Sequence, residues 1–192
     1  MADIDRPAAE AAIAAFLRAL GHDPAKDPEL AETPQRVTEA FADELLSGYQ
    51  ANLAELVQGG STEAKEGSGV VALRDIDVAT VCPHHLMPGI GRAQVVYRPG
   101  ARLLGLGTVA GLVDACSRKL ALQETIANDV VRALLTHAGA RGAYAELTLT
   151  HGCLSARGAC QTRARATTFA LAGELGETEV LLALGRAPGT TP

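Results

Sequence analysis

No block of like charges interrupts this sequence, no internal repeat is visible, and no apolar run approaches the roughly 18 residues that a membrane-spanning helix needs. With a net charge of −5 at pH 7, the chain carries no basic footprint for nucleic acid and no cationic face for a membrane. The opening "MADIDRPAAEAAIAAFLRALG" places acidic residues where a secretory leader would carry positive charge. A cytoplasmic protein is expected, with small molecules or further copies of itself as partners. Four cysteines without an export signal (Cys82, Cys116, Cys153 and Cys160) read as thiols or metal ligands, not as a disulfide framework. At 192 residues, 47% hydrophobic, the chain is long enough for one substantial core and short for two.

What is present is an alternation of helical and extended text. Ile13, Phe16, Leu17 and Leu20 recur at spacings of three and four, which predicts an amphipathic helix over 8–20 ended by Gly21. "ETPQRVTEAFADELLSG" predicts a second helix, with Thr33 as N-cap, Pro34 in the first turn and Gly48 at the close. Residues 58–69, rich in Gly, Ser, Thr, Glu and Lys, read as a surface loop. "VVALRDIDVATV" and "GRAQVVYRPG" predict an antiparallel strand pair. Residues 107–139 read as two helices broken near 120–122, and "AYAELTLTHGC" and "CQTRARATTFALAG" as two further strands before a last apolar stretch at 178–185. The order implies an α+β fold: a four-stranded antiparallel sheet with helices on one face. Its two open edges would be covered by pairing between subunits, so a homo-oligomer is expected. An N-terminal helical extension and loop over 1–68 and a catalytic domain over 69–192 are the expected divisions.

The chemistry gathers at two predicted strand ends. Cys82 and His85 stand three apart in "TVCPHHLMPG", and His151 and Cys153 stand two apart in "HGCLSARG", on one face if the strand continues. Side by side, Cys82, His85 and Cys153 form an S, N, S donor set that suits Zn²⁺ and leaves a fourth position for water. Zinc lowers that water's pKa to about 7. His84 and His151 then neighbour the ligands, where a proton-transfer pair would be placed, although spacing alone does not force either role. A structural turn around Pro83 is the plainer alternative. Cys116 and Cys160 read as small buried hydrophobes, and His22 and His137 as residues at helix ends. Glu124, beside Gln123, is a first-turn carboxylate that the helix dipole alone explains, and Arg157 is either an anion ligand or an ordinary exposed charge.

"ETPQRV", "CPHHLMPGIGRAQVVYRPG", "GLG…GLVDACSRKLALQET" and "HGCLSARG", in that order from Glu32 to about Gly173, closely resemble the GTP cyclohydrolase I family. The resemblance implies a T-fold whose sheets join between subunits into a barrel, usually a pentamer stacked into a decamer. It implies Zn²⁺ on Cys82, His85 and Cys153, proton transfer by His84 and His151, and a guanine-like ring gripped by Glu124 with Gln123. It also implies phosphate contacts from Arg36 and Arg157.

One segment departs from the family pattern. Where a Gly-Leu-Ser-Lys motif followed by an arginine is usual, this chain has "GLGTVAG", with Gly107, Thr108 and Gly111 in place of serine, lysine and arginine. Glu39 stands where a lysine is common. Removing a charge-assisted hydrogen bond costs on the order of 1.5–3 kcal/mol. The reading is therefore a zinc hydrolase that opens the C8 side of a guanine-like purine or related heterocycle lacking the triphosphate. Its alternatives are an authentic GTP cyclohydrolase I, forming dihydroneopterin triphosphate and formate with cations such as Arg118, Lys119 or Arg163, and a non-catalytic pterin- or purine-binding oligomer with structural zinc.

Overall fold

A computed structural model describes residues 4–65 and 67–187. Helix α1 (Arg6–Ala19) is opened by Asp5, whose carboxylate accepts the amide hydrogen of Ala8 at 3.0 Å. It buries none of its own residues and packs on α2 (Thr33–Glu39). Thr33 is the first residue of α2 and not its cap: Glu32 holds that position without a side-chain capping bond. The helix expected to run to Gly48 widens instead into a π-helical stretch, Ala40–Leu45, and ends in a 3₁₀ turn, Ser47–Tyr49. Gly48 lies in that turn. It donates its amide to Arg118 O at 3.0 Å, and a Cβ there would lie 2.3 Å from Ala115 O, so the chain bends to bring bare backbone against a later helix.

Asn52 caps α3 (Leu53–Gly59) by accepting from the amides of Ala54 and Glu55. Within the expected loop, β1 (Ser61–Glu63) pairs with β4 (Arg102–Leu104) in a small antiparallel ribbon. The main sheet runs β2 (Val71–Val81), β3 (Pro88–Arg98), β5 (Gly142–His151) and β6 (Ala166–Gly173) in spatial order, every pair antiparallel. Between β3 and β5 the chain forms α4 (Leu106–Ser117) and α5 (Gln123–His137), with the expected break between them.

Alternation decides which face is buried. Ala93, Val95 and Tyr97 of β3 and Ala143, Ala145, Leu147 and Leu149 of β5 join Val109, Leu112, Val113, Ile126, Val130 and Leu134 of the two helices in one core. Val57 of α3 belongs to it too. Tyr97 is its largest member, and its hydroxyl accepts the amide hydrogen of Leu104 at 3.0 Å. Cys116 sits in this core, and burial pushes its thiol up to about 11.

The opposite face is partly covered as well. The terminal apolar stretch forms α7 (Glu177–Ala183), which lays Val180 and Leu184 on Val96 and Tyr144. Beside it Glu146, only 3% exposed, accepts both arms of Arg186 at 2.7 and 2.8 Å, together with the Tyr144 hydroxyl and the Gln94 amide. Strands β2 and β6 are the sheet's edges, and β2 carries a bulge between Leu73 and Ile76 with Asp75 at φ 57°. Among the described residues no helix is long and apolar enough to cross a membrane.

Candidate metal centre and active site

Three segments meet at one end of the sheet. Past β2, the turn at 82–87 is closed by Cys82 N donating to Met87 O at 3.0 Å and Leu86 N donating to Cys82 O at 2.9 Å. Pro83 has no amide to donate, and Leu86 takes a positive φ of 53°, so the strand cannot run on. The linker between α4 and α5 docks against the end of β2: Ala121 N donates to Val81 O at 3.3 Å, and the Thr80 hydroxyl to Lys119 O at 3.3 Å. That docking sets the first residues of α5 beside the end of β5.

His151 is the last residue of β5, directly opposite Gly89 of β3. The strand does not continue through Cys153, so the expected sharing of one strand face does not apply. Gly152 opens a helical turn, α6 (Gly152–Ser155), fastened by the Ser155 hydroxyl donating to His151 O at 3.0 Å. The turn carries Cys153 towards the first cluster. The ligand atoms of Cys82, His85 and Cys153 all lie within 4.8 Å of one another, the two cysteines half-buried and His85 exposed. A tetrahedral zinc with bonds of about 2.0–2.3 Å sets its donors roughly 3.3–3.8 Å apart, so small side-chain rotations close this group on an ion. Two thiolates and an imidazole are the donor chemistry that fits it.

The neighbouring residues divide sharply. His84 is exposed, its ring 6.3 Å from that of His85 and nearly perpendicular to it. Glu124 is exposed in the first turn of α5, and among the described residues its carboxylate has no hydrogen-bond or ion-pair partner. Gln123, beside it, is 4% exposed and turned inward. Its amide nitrogen donates to Leu147 O and Ala166 O, both at 2.9 Å, and its oxygen lies 2.7 Å from His151 Nε2. Its side chain is thus bound within the fold and does not stand beside Glu124 as a second outward-facing group.

The expected phosphate ligands lie on separate elements. Arg157 is exposed in the turn after α6, while Arg36 lies on α2 and pairs with Glu32. Arg118 is held by Asp114 at 3.0 Å. At the start of α4, Thr108 is buried and its hydroxyl donates to Gly60 O at 2.9 Å, an acceptor it shares with the Gly105 amide. Cys160 corrects its expected burial: it is exposed, at φ 52°, in a loop that delays β6 until Ala166. Two features are not legible in the letters. Gly89 faces the His151 ring, and Gln123 bonds to it; the only signal is that "LQET" precedes a helix whose first turn has to lie near some strand end.

The family model described as GTP cyclohydrolase I matches residues 9–182. The chain belongs to the GTP cyclohydrolase I family. It is 38% identical over 178 residues to the GTP cyclohydrolase 1 of Leifsonia xyli subsp. xyli, an alignment covering 92% of each chain. To that of Deinococcus radiodurans it is 39% identical over 158 residues, covering 82% of this chain and 72% of the other. Among solved structures it is similar to an archaeosine synthase QueF-Like in the apo form, at 16% identity and a TM-score of 0.45, over 58% of this chain and all of that one. The α+β architecture seen here, with its antiparallel sheet and helix pair, is the T-fold expected of the family.

Proposed function

We propose that this chain is a zinc-dependent cyclohydrolase that opens the imidazole ring of a guanine-type purine by hydrolysis at C8. The observation that carries the reading is the convergence of Cys82, His85 and Cys153, flanked by His84 and His151, in a chain matched by the family model across most of its length. Cys82, His85 and Cys153 would hold the zinc ion, which when bound would supply a Lewis acid able to make a water nucleophilic near neutral pH. The protein's own residues do the rest. Glu124 accepts the two adjacent N–H groups of the amino-pyrimidine edge, a bidentate contact favoured by the start of α5 and by a carboxylate that has no partner among the described residues. His84 and His151 move protons to and from the ring being opened.

The open edges of β2 and β6 support assembly by edge pairing between copies, which would close the sheets into a barrel. Incubation of the zinc-loaded protein with GTP and with guanosine, followed by ultraviolet spectra and formate release, tests the activity. Turnover of at least one is expected, and turnover of neither would leave only a binding role.

A second, narrower reading is favoured by one observation. Thr108 is buried with its hydroxyl committed to Gly60 O, and Gly107 and Gly111 bring no side chain to that stretch of α4. On this reading the substrate lacks the triphosphate, since the cations that would hold its roughly four charges are not offered there. GTP and guanosine assayed side by side separate the two readings.

A further inference from the structure

We propose that Gln123 is a positioning residue for His151: it fixes the plane of the imidazole and its tautomer, with hydrogen on Nε2 and the Nδ1 edge turned to Gly89. The inference rests on the placing of His151 in the active site proposed above. It follows from hydrogen-bond arithmetic. The Gln123 amide nitrogen lies 2.9 Å from Leu147 O and 2.9 Å from Ala166 O, carbonyls of neighbouring strands. Carbonyl oxygens only accept, and an amide nitrogen has two hydrogens to give, so both are spent. Turning the amide over would set its oxygen against two carbonyl oxygens, which excludes the flip that such side chains otherwise allow. Oε1 therefore faces His151 Nε2 at 2.7 Å, and an oxygen that can only accept requires hydrogen on that nitrogen.

In the neutral ring the lone pair then falls on Nδ1. Among the described residues nothing hydrogen-bonds to Nδ1. Opposite it stands Gly89, where a Cβ would lie 3.3 Å from Nδ1 and 3.4 Å from Cε1. The absent side chain keeps that edge of the ring clear. The Gln123 contact, made through Nε2–H alone, thus holds the ring with its Nδ1 edge uncovered.

The test uses the full-length protein with ¹⁵N-labelled histidine, assigned by comparison with His151→Ala. Two-bond ¹H–¹⁵N correlations at pH 8 are expected to show the Nε2–H pattern for His151, and an Nδ1–H pattern overturns the proposal. This readout needs no turnover, so it stands apart from failure of the proposed activity. In Gln123→Leu the pattern is expected to become mixed. On whichever of GTP or guanosine is turned over, kcat is expected to fall on the order of 100-fold with KM changed less than about threefold. In a His151→Ala background the same change should add almost nothing. A raised KM with kcat preserved would make Gln123 a substrate ligand and sink the proposal, as would full additivity. Should Gln123→Leu fail to fold, the tautomer of the unaltered protein still decides.

Discussion

Gly89 and His151 face each other across the β3–β5 ladder, and a Cβ on the glycine would touch the one imidazole nitrogen that has no partner among the described residues. That Cβ would lie 3.1 Å from Thr80 Cγ2 and 3.3 Å from Nδ1, both side-chain contacts tight enough to shift the ring by a few tenths of an ångström without breaking the strand. Gly89→Ala is therefore expected to lower kcat about tenfold while leaving thermal unfolding nearly unchanged, because catalytic groups tolerate little displacement. Steady-state kinetics with a melting curve checks this. A large loss of stability with kcat intact per folded molecule would show that the glycine serves only the sheet.

Metal content separates three of the four cysteines. Cys82→Ser and Cys153→Ser are each expected to lose bound zinc and turnover together, while Cys116→Ala, altering a thiol buried in the core, keeps both. Removal of zinc by a chelator should abolish turnover and leave the circular dichroism largely in place, since the Val, Leu and Ala core does not include the cluster. Elemental analysis and spectra on the same samples report both outcomes.

Acid stability should depend on Glu146. Hydrogen bonds from Arg186, above all, hold its carboxyl below the usual range against the opposing effect of burial, with Tyr144 and Gln94 assisting. The folded value is depressed, so the stabilisation is fully present above the unfolded value and disappears as pH falls through the folded one. Urea midpoints are expected to drop below about pH 4 in the native chain. Arg186→Ala should cost about 3 kcal/mol at pH 7 by leaving a buried carboxylate unpaired, and should flatten that acid limb. A variant as stable as the parent at pH 7 would mean that α7 is held by its apolar contacts alone.

The phosphate question has its own ratio. If the start of α4 offers no cations, kcat/KM for GTP and for guanosine should lie within about tenfold of each other, since several charge-assisted hydrogen bonds would otherwise separate them by orders of magnitude. A GTP preference above about 1000-fold would return the triphosphate to the site and require cations from other positions, such as Arg157 or Arg163.

What can be read from the sequence is local chemistry and long periodic elements. Cys82 and His85 share one turn, so their convergence is visible in four letters; β2, β3, β5 and the helix pair carry enough alternation or period to be placed. Cys153 reads as part of a strand because "TLTH" alternates smoothly into it, and nothing in the letters announces that Gly152 begins a helical turn. The β1–β4 ribbon has three-residue strands, too short for any period. Arg186 and Glu146 lie forty positions apart, and Gln123 bonds to backbone carbonyls, which every residue possesses. Such partnerships arise only when the sheet closes.

The central claim, a zinc centre that opens a guanine-type imidazole ring, is tested most directly by one paired measurement. The purified protein is assayed for zinc per chain and for formate released from GTP and from guanosine, beside Cys82→Ser and His151→Ala. The expected result is about one zinc per chain with formate release from at least one purine, both lost in Cys82→Ser, and turnover alone lost in His151→Ala. Stoichiometric zinc with no formate from either purine, or formate release that survives loss of the zinc, would contradict it.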